Sequence, residues 1–187
     1  MSDVKYVESN SSEWLEWIAP TRFNNPELFR IVIFYVFHSP SDGLSAMHKS
    51  LHEYGWSEPW KKPQYLNRKL KDLSTNEFLL FSADKYKNMK AELEKANLLN
   101  NFPMIDGTER ICILNNKKNQ FMSVFYHLRN AFAHCRLNMV DVSGEENDYF
   151  FILEDVYRDR VSARMILRKS TLLKWINLIE GGYVDLF

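Results

Sequence analysis

The sequence predicts a mainly α fold with a small antiparallel β-sheet, and three observations lead to this prediction. Apolar residues fill the segment 26–38, and they recur at helical spacing in the segment 120–138. Nearer the C-terminus the period changes to that of strands. A chain of 187 residues, 45% of them hydrophobic, can bury a substantial core within one domain. We expect one domain over residues 1–187, with a helical core at about 11–138 and a C-terminal hairpin and helix at about 148–182.

The clearest helix start in the chain is Asn25-Pro26-Glu27. Asn25 is suited to the N-cap, Pro26 to the first helical position and Glu27 to the positive end of the helix dipole. The helix from this start is predicted to reach His38, although its β-branched and aromatic residues leave a strand as the alternative. Further helices are predicted at 11–19, 44–54, 65–73, 78–99 with an interruption near 82–84, and 120–138.

Three short segments rich in β-branched and aromatic residues are predicted to be strands. They are residues 108–114, 149–156 and 161–168, and a short polar turn joins the last two. Their positions around the 120–138 helix imply that sheet and helices form one unit. A last helix is expected at 172–180.

The charge of the chain is zero overall but unevenly distributed. Lys and Arg number 24, and Asp and Glu also number 24. Residues 1–60 carry four basic and eight acidic side chains, a net of −4, so residues 61–187 carry a net of +4. The balance excludes a protein that holds nucleic acid by bulk charge alone, while a local basic groove remains open.

The two cysteines, Cys112 and Cys135, are too few for a disulfide framework. We expect both to be reduced thiols in a packed interior. No Cys/His pair has the spacing of zinc ligands, so we expect no metal site and no cofactor. The longest strongly apolar run, 31–37, is far shorter than the roughly 20 residues of a spanning helix. With a polar N-terminus, this predicts a cytoplasmic protein without a membrane partner.

The predicted helix 120–138 has an ordinary core-facing stripe and an unusual opposite side. His127, Asn130 and His134 are spaced i, i+3 and i+7, so they stack within about 60° of one another. Arg129 and Arg136 line the flank. The stripe itself, within about 120°, consists of Phe121, Val124, Phe125, Leu128, Ala131, Phe132 and Cys135.

Histidine, asparagine and arginine on one helix are suited to phosphate chemistry. A histidine is a general acid or base near neutral pH, and an arginine binds a phosphate at two points. However, Arg129 and His134 lie five residues apart, about 140° around the helix. Either Arg129 curls around the helix end, or two copies of the helix meet across a two-fold axis.

The segment Arg129-Asn130-Ala131-Phe132-Ala133-His134 resembles the R-N-x-x-x-H signature of the HEPN (higher eukaryotes and prokaryotes nucleotide-binding) superfamily. The resemblance covers the motif helix and, more loosely, a helical core at residues 11–138. It implies a HEPN-like helical bundle, with the C-terminal strands as an elaboration. Cys135 departs from the family, in which a glycine often follows the histidine.

The resemblance also implies an activity. Many members of the family are metal-independent endoribonucleases, some of them toxins or antiphage effectors, that dimerise to form a shared active site. By this resemblance Arg129 contacts the scissile phosphate, His134 is the general acid/base, and Asn130 orients it or binds phosphate. The 2′-hydroxyl of RNA would be the nucleophile, which gives a 2′,3′-cyclic phosphate and requires RNA as the substrate. An antitoxin protein would be a further partner.

Other side chains near the motif are candidates for substrate binding, against the simpler interpretation as surface or interface residues. They are His127, Tyr126 and Arg136 on the same helix, and Lys117 and Lys118 just before it. Two alternatives to the ribonuclease remain at this point. The chain is then a non-catalytic module that binds RNA, a nucleotide or a protein, or a structural protein whose motif helix is only a dimer interface.

Overall fold

The computed structural model describes residues 25–40, 50–56, 63–74, 78–99, 105–115, 120–141 and 148–182. Helices and strands alternate through most of these ranges. In chain order the elements are α1 (Pro26–Ile33), a π-helical turn (Phe34–His38), α2 (Pro63–Asp72), β1 (Phe78–Ala83), α3 (Tyr86–Lys95), β2 (Glu109–Leu114), α4 (Gln120–Ala133), β3 (Leu137–Asp141), β4 (Tyr149–Tyr157), β5 (Arg160–Arg168) and α5 (Lys169–Gly181).

The five strands form one mixed sheet in the order β1-β2-β5-β4-β3. β1 and β2 are parallel and are connected through α3, whereas β2–β5, β5–β4 and β4–β3 are antiparallel. The prediction of a mainly α, HEPN-like helical bundle is therefore wrong. The chain has an α/β architecture in which the sheet is the central layer.

The error in fold class comes from the two edge strands. The sequence predicts helix for Phe78–Ala83, as the start of the segment 78–99, and for residues 137–138, as the end of the segment 120–138, whereas both segments belong to strands. Each of these strands has one neighbour in the sheet and is only partly buried, and an apolar run as short as Phe78-Leu79-Leu80-Phe81 does not distinguish a strand from a helix. The helix predicted for 120–138 consequently ends at Ala133, and the one predicted for 78–99 begins only at Tyr86.

Other local predictions agree with the structure. The three strands predicted from the sequence are present as β2, β4 and β5, the three inner strands of the sheet. The side chain of Asn25 caps α1 by accepting a hydrogen bond of 2.9 Å from the amide of Glu27. The predicted helix 11–19 and most of the predicted helix 44–54 lie outside the described residues.

The sheet separates two apolar layers. Successive residues of a strand point to opposite faces, so β4 contributes to both layers. Phe151 and Leu153 pack with α1, α4 and α5 on one face, and Phe150 and Ile152 pack with α3 on the other. Every residue of β2 is buried. The inner strands are thus covered on both faces, which explains their continuous apolar sequences.

The C-terminus of α4 ends in a Schellman turn that leads directly into β3. The amide of Arg136 donates to the carbonyl of Ala131 at 2.8 Å, and the amide of Cys135 donates to that of Phe132 at 3.2 Å. Cys135 has φ of 52°, in the left-handed region where glycine is favoured. A glycine would adopt this conformation without strain, so Cys135 holds the turn at a cost in backbone strain.

We expect Cys135→Gly to raise the free energy of unfolding by about 1 kcal/mol, because glycine adopts the left-handed conformation without the steric penalty. Urea denaturation followed by circular dichroism measures the change. Ala133→Gly is the matched control, since this residue is helical and its replacement should destabilise by about 0.5–1 kcal/mol. A destabilised Cys135→Gly variant would contradict the assignment of a strained turn.

The two thiols differ in environment. Cys112 is buried in β2 as predicted, but the prediction of a packed interior is wrong for Cys135, which is exposed.

Burial raises the pKa of the Cys112 thiol to about 12. Because the thiolate is the reactive form, we expect a thiol reagent to label one cysteine per native chain at pH 8 and two after denaturation. Labelling of the native Cys135→Ser variant at the wild-type rate would contradict this.

Candidate functional site

α4 carries the predicted site, and its buried stripe follows the prediction as far as the helix extends. Phe121, Val124, Phe125, Leu128, Ala131 and Phe132 are all buried. Cys135, predicted as the last member of the stripe, lies beyond the helix and is exposed. The other side of α4 lies over β4, and Tyr126, Arg129 and Asn130 on that side are half-buried.

His127 is completely buried, although the spacing placed it on the same exposed face as His134. Its Nε2 lies 2.8 Å from the carbonyl oxygen of Leu114, and its Nδ1 lies 2.6 Å from Oδ2 of Asp155. A carbonyl only accepts, so Nε2 carries a proton and donates it to Leu114. Both ring nitrogens are therefore engaged inside the protein, and His127 fastens α4 to β2 and β4.

Asp155 is the centre of this buried network. Burial by itself raises the pKa of its carboxyl group, but the hydrogen bond and charge of His127 and the hydrogen bonds from Asn130 and Ser162 outweigh burial, so the pKa lies below its usual value. Asp155 is thus a carboxylate, and Nδ1 of His127 donates to it. The two side chains form a buried hydrogen-bonded pair, and Asn130 and Ser162 donate further hydrogen bonds to the same carboxylate.

Asn130 connects the buried network to the surface. Its Nδ2 donates to Oδ2 of Asp155 at 3.2 Å, which fixes the amide with its oxygen directed away from the carboxylate. That oxygen, Oδ1, lies 3.5 Å from Nη1 of Arg129. The guanidinium of Arg129 is therefore directed toward the amide of Asn130.

The guanidinium of Arg129 retains hydrogen-bonding capacity. Its Nε is buried and has no hydrogen-bond partner among the described residues. The contact with Asn130 is long, at the limit of a hydrogen bond. A buried donor without a partner is costly, so this Nε is an unsatisfied polar group beside Asn130.

His134 is exposed and is the first residue after α4. Its amide donates to the carbonyl of Asn130 at 2.9 Å, which keeps it one helical turn beyond Asn130. The Schellman turn at Cys135 and Arg136 holds this last turn in place. Arg129, Asn130 and His134 therefore occupy one end of α4, with the histidine ring accessible.

The other side chains predicted to bind substrate are Tyr126, Arg136, Lys117 and Lys118, and they lie in different parts of the chain. Tyr126 is half-buried, with its ring centroid 5.2 Å from that of His127. The backbone carbonyl of Arg136 accepts a hydrogen bond from the amide of Glu154, whose side chain lies on the opposite face of the sheet from that of Asp155. Lys117 and Lys118 lie outside the described residues.

A second buried charged cluster was not predicted. Nε of Arg164 donates to Oε2 of Glu154 at 3.0 Å, and its Nη1 donates to the carbonyls of Leu98 and Leu99. Burial raises the pKa of Glu154 despite the opposing charge and hydrogen bond of Arg164. The signal in the sequence was the acidic pair Glu154-Asp155 within an apolar strand, because buried acids require partners.

No family model matches the chain, and no curated protein or solved structure is similar enough to assign it to a family. Within the described ranges, no helix has the length and apolar character needed to span a membrane. The same part of the chain contains no group of three or more His, Cys, Asp or Glu side chains placed to bind a metal ion. The arrangement at the end of α4 is therefore the basis for any functional conclusion.

Proposed function

We propose that this chain is a metal-independent endoribonuclease in which Arg129 binds the scissile phosphate and His134 is a general acid/base. The observation that carries the proposal is the position of the Arg129 guanidinium. It lies against Asn130, one turn before the exposed ring of His134. A phosphate bound there would accept hydrogen bonds from Arg129 while one of its ester oxygens faces the histidine.

The reaction that fits these groups is transfer within RNA. The 2′-hydroxyl attacks the adjacent phosphorus, the bond to the 5′-oxygen of the next nucleotide breaks, and a 2′,3′-cyclic phosphate and a 5′-hydroxyl result. One histidine removes the proton of the nucleophile, or donates one to the leaving oxygen, and arginine stabilises the charge on the phosphate oxygens. Asn130 holds Arg129 in place and is itself fixed by Asp155.

A homodimer fits the proton transfers of this reaction. Two protons move, one from the nucleophile and one to the leaving group, and efficient catalysis assigns a group to each. His127 is buried and engaged at both nitrogens, so His134 is the histidine of α4 that reaches solvent. A second copy of α4 across a two-fold axis would supply the other histidine.

The test is cleavage of a fluorescent RNA in EDTA by wild type, Arg129→Ala and His134→Ala. The wild type is expected to produce 2′,3′-cyclic phosphate ends, and each variant should lose about 10²–10⁴-fold in rate. His52→Ala and Arg68→Ala, at exposed positions on other segments, are matched controls and should cleave normally. An inactive wild type, or active Arg129 and His134 variants, would disprove the proposal, and RNA binding without cleavage would assign the site to a non-catalytic module.

A further inference from the structure

The tip of the β4–β5 hairpin presents an ordered group of aromatic and basic side chains. The turn has two residues, Arg158 and Asp159, with φ of 49° and 61°, as in the type I′ turn that matches the twist of paired strands. Tyr157, the last residue of β4, is 53% exposed, although most large apolar side chains of the sheet are buried. A ring this exposed on a rigid turn is available to a ligand.

Two arginines of the same hairpin stack on tyrosines. The guanidinium carbon of Arg158 lies 5.1 Å from the ring centroid of Tyr157, and that of Arg160 lies 5.6 Å from the ring of Tyr86, the first residue of α3. These distances are within the range of cation–π contacts. We call Tyr157, Arg158, Arg160 and Tyr86 the hairpin-tip surface.

The hairpin-tip surface begins two residues beyond Asp155 on β4, and Asp155 accepts a hydrogen bond from Asn130 of the proposed site. Burial raises the pKa of Tyr86, the nearby Asp155 and Tyr126 raise it further, and Arg160 lowers it. Tyr86 is therefore within electrostatic range of Asp155, the residue that fixes Asn130.

The exposed charges around these rings are mainly positive. Lys85 and Lys87 flank Tyr86, Arg158 lies in the turn and Arg160 follows it. The exposed acids of the same two segments are Asp84 and Asp159. Aromatic faces with interspersed arginines and lysines are the combination that binds single-stranded nucleic acid, since bases stack on the rings and phosphates pair with the cations.

We propose that the hairpin-tip surface binds single-stranded RNA, stacks an unpaired base on Tyr157 and leads the strand to Arg129 and His134. The inference rests on the proposed function, because it names the form in which the substrate reaches that site. A duplex keeps its bases stacked inside and would not use the ring of Tyr157. The surface therefore predicts a preference for unpaired RNA.

Fluorescence anisotropy with a 2′-O-methylated single-stranded RNA tests this surface independently of catalysis, because methylation removes the nucleophile. Tyr157→Ala is expected to weaken binding about tenfold, the loss typical of one stacked base, and Tyr157→Phe should bind like wild type. Arg158→Ala should reduce the slope of log K against log salt by about 0.7. A duplex of the same sequence should bind more weakly than the single strand.

Phe29→Ala is the matched control, since Phe29 is 64% exposed on α1 and contributes nothing to the hairpin-tip surface. Equal binding by Tyr157→Ala and wild type, or equal binding of single strand and duplex, would overturn the inference. Tyr157-dependent binding by a wild type that cleaves no RNA would support the surface and reject the ribonuclease. If single-stranded DNA binds as tightly as RNA, the surface does not select RNA and that part of the inference fails.

Discussion

Replacing Asp155 with Ala is expected to lower the free energy of unfolding by about 3–5 kcal/mol. The carboxylate is 3% exposed and accepts hydrogen bonds from three side chains, His127, Asn130 and Ser162. Without it the imidazole of His127 is left in an apolar interior with one nitrogen unsatisfied, and Ser162 and Asn130 lose an acceptor. Removing the acceptor of a buried network costs more than the intact contacts contribute, because the donors left behind are buried without a partner.

Urea denaturation at pH 7 measures this loss, with Asp141→Ala at an exposed position of β3 as the matched control. The control should change stability by less than about 0.5 kcal/mol. A loss no larger than that of the control would show that the network contributes little to stability.

The same carboxylate gives a dependence on pH with a defined sign. Its folded pKa is lowered, so its contribution to stability is present above the unfolded value of about 4 and is lost as the pH falls through the folded value. Asp155→Asn should therefore lose less stability than wild type between neutral pH and the acid range. The dependence of the free energy of unfolding on pH that remains in Asp155→Asn comes in part from Asp106. The pKa of Asp106 is lowered mainly by its hydrogen bond with Arg110.

Trp175→Ala is expected to destabilise by about 3–5 kcal/mol, the range for removing a buried aromatic side chain. Trp175 is completely buried in α5, and the edges or faces of Phe78, Phe121 and Phe125 lie with centroids 5.7–6.1 Å from its ring. Its position joins β1, α4 and α5, so the cavity would open where three elements meet.

Trp175→Phe separates packing from hydrogen bonding in this prediction. The indole Nε1 donates to the carbonyl of Leu70, which also accepts from Oγ of Ser74, so the carbonyl keeps one donor after the change. We therefore expect Trp175→Phe to lower the free energy of unfolding through two contributions. One is the smaller packing volume of phenylalanine, and the other is the lost hydrogen bond, which contributes about 1 kcal/mol. Lys174→Ala, on the exposed side of α5, is the control, and a Trp175→Ala loss as small as its loss would contradict the central position of the ring.

The sequence was sufficient for the inner strands and insufficient for the edges. β2, β4 and β5 are buried on both faces and so have continuous apolar segments that a strand pattern detects. Phe78–Ala83 has the same apolar character as the start of a buried helix, and only its pairing with β2, about 30 residues later, makes it a strand. Pairing over that distance leaves no local signal.

The candidate site shows the same limit at the level of side chains. The spacing on α4 predicts one face for His127, Asn130 and His134, but it gives no information on how β4 covers the helix. Asp155 lies 28 positions after His127, and its contact turns that histidine from a surface residue into a buried one. Helical periodicity reports which residues share a face, whereas the depth of each residue depends on the neighbouring element.

The place of β5 in the sheet affects how the chain acquires its structure during synthesis. β5 is the last strand along the chain, yet it lies between β2 and β4. Until residues 160–168 leave the ribosome, a β1–β2 pair and a β3–β4 pair can form, but no backbone ladder connects them. Each pair then has an edge strand, β2 or β4, whose backbone hydrogen-bonding groups are unpaired. A nascent chain that stops before β5 can therefore pair through these edges with other chains and aggregate.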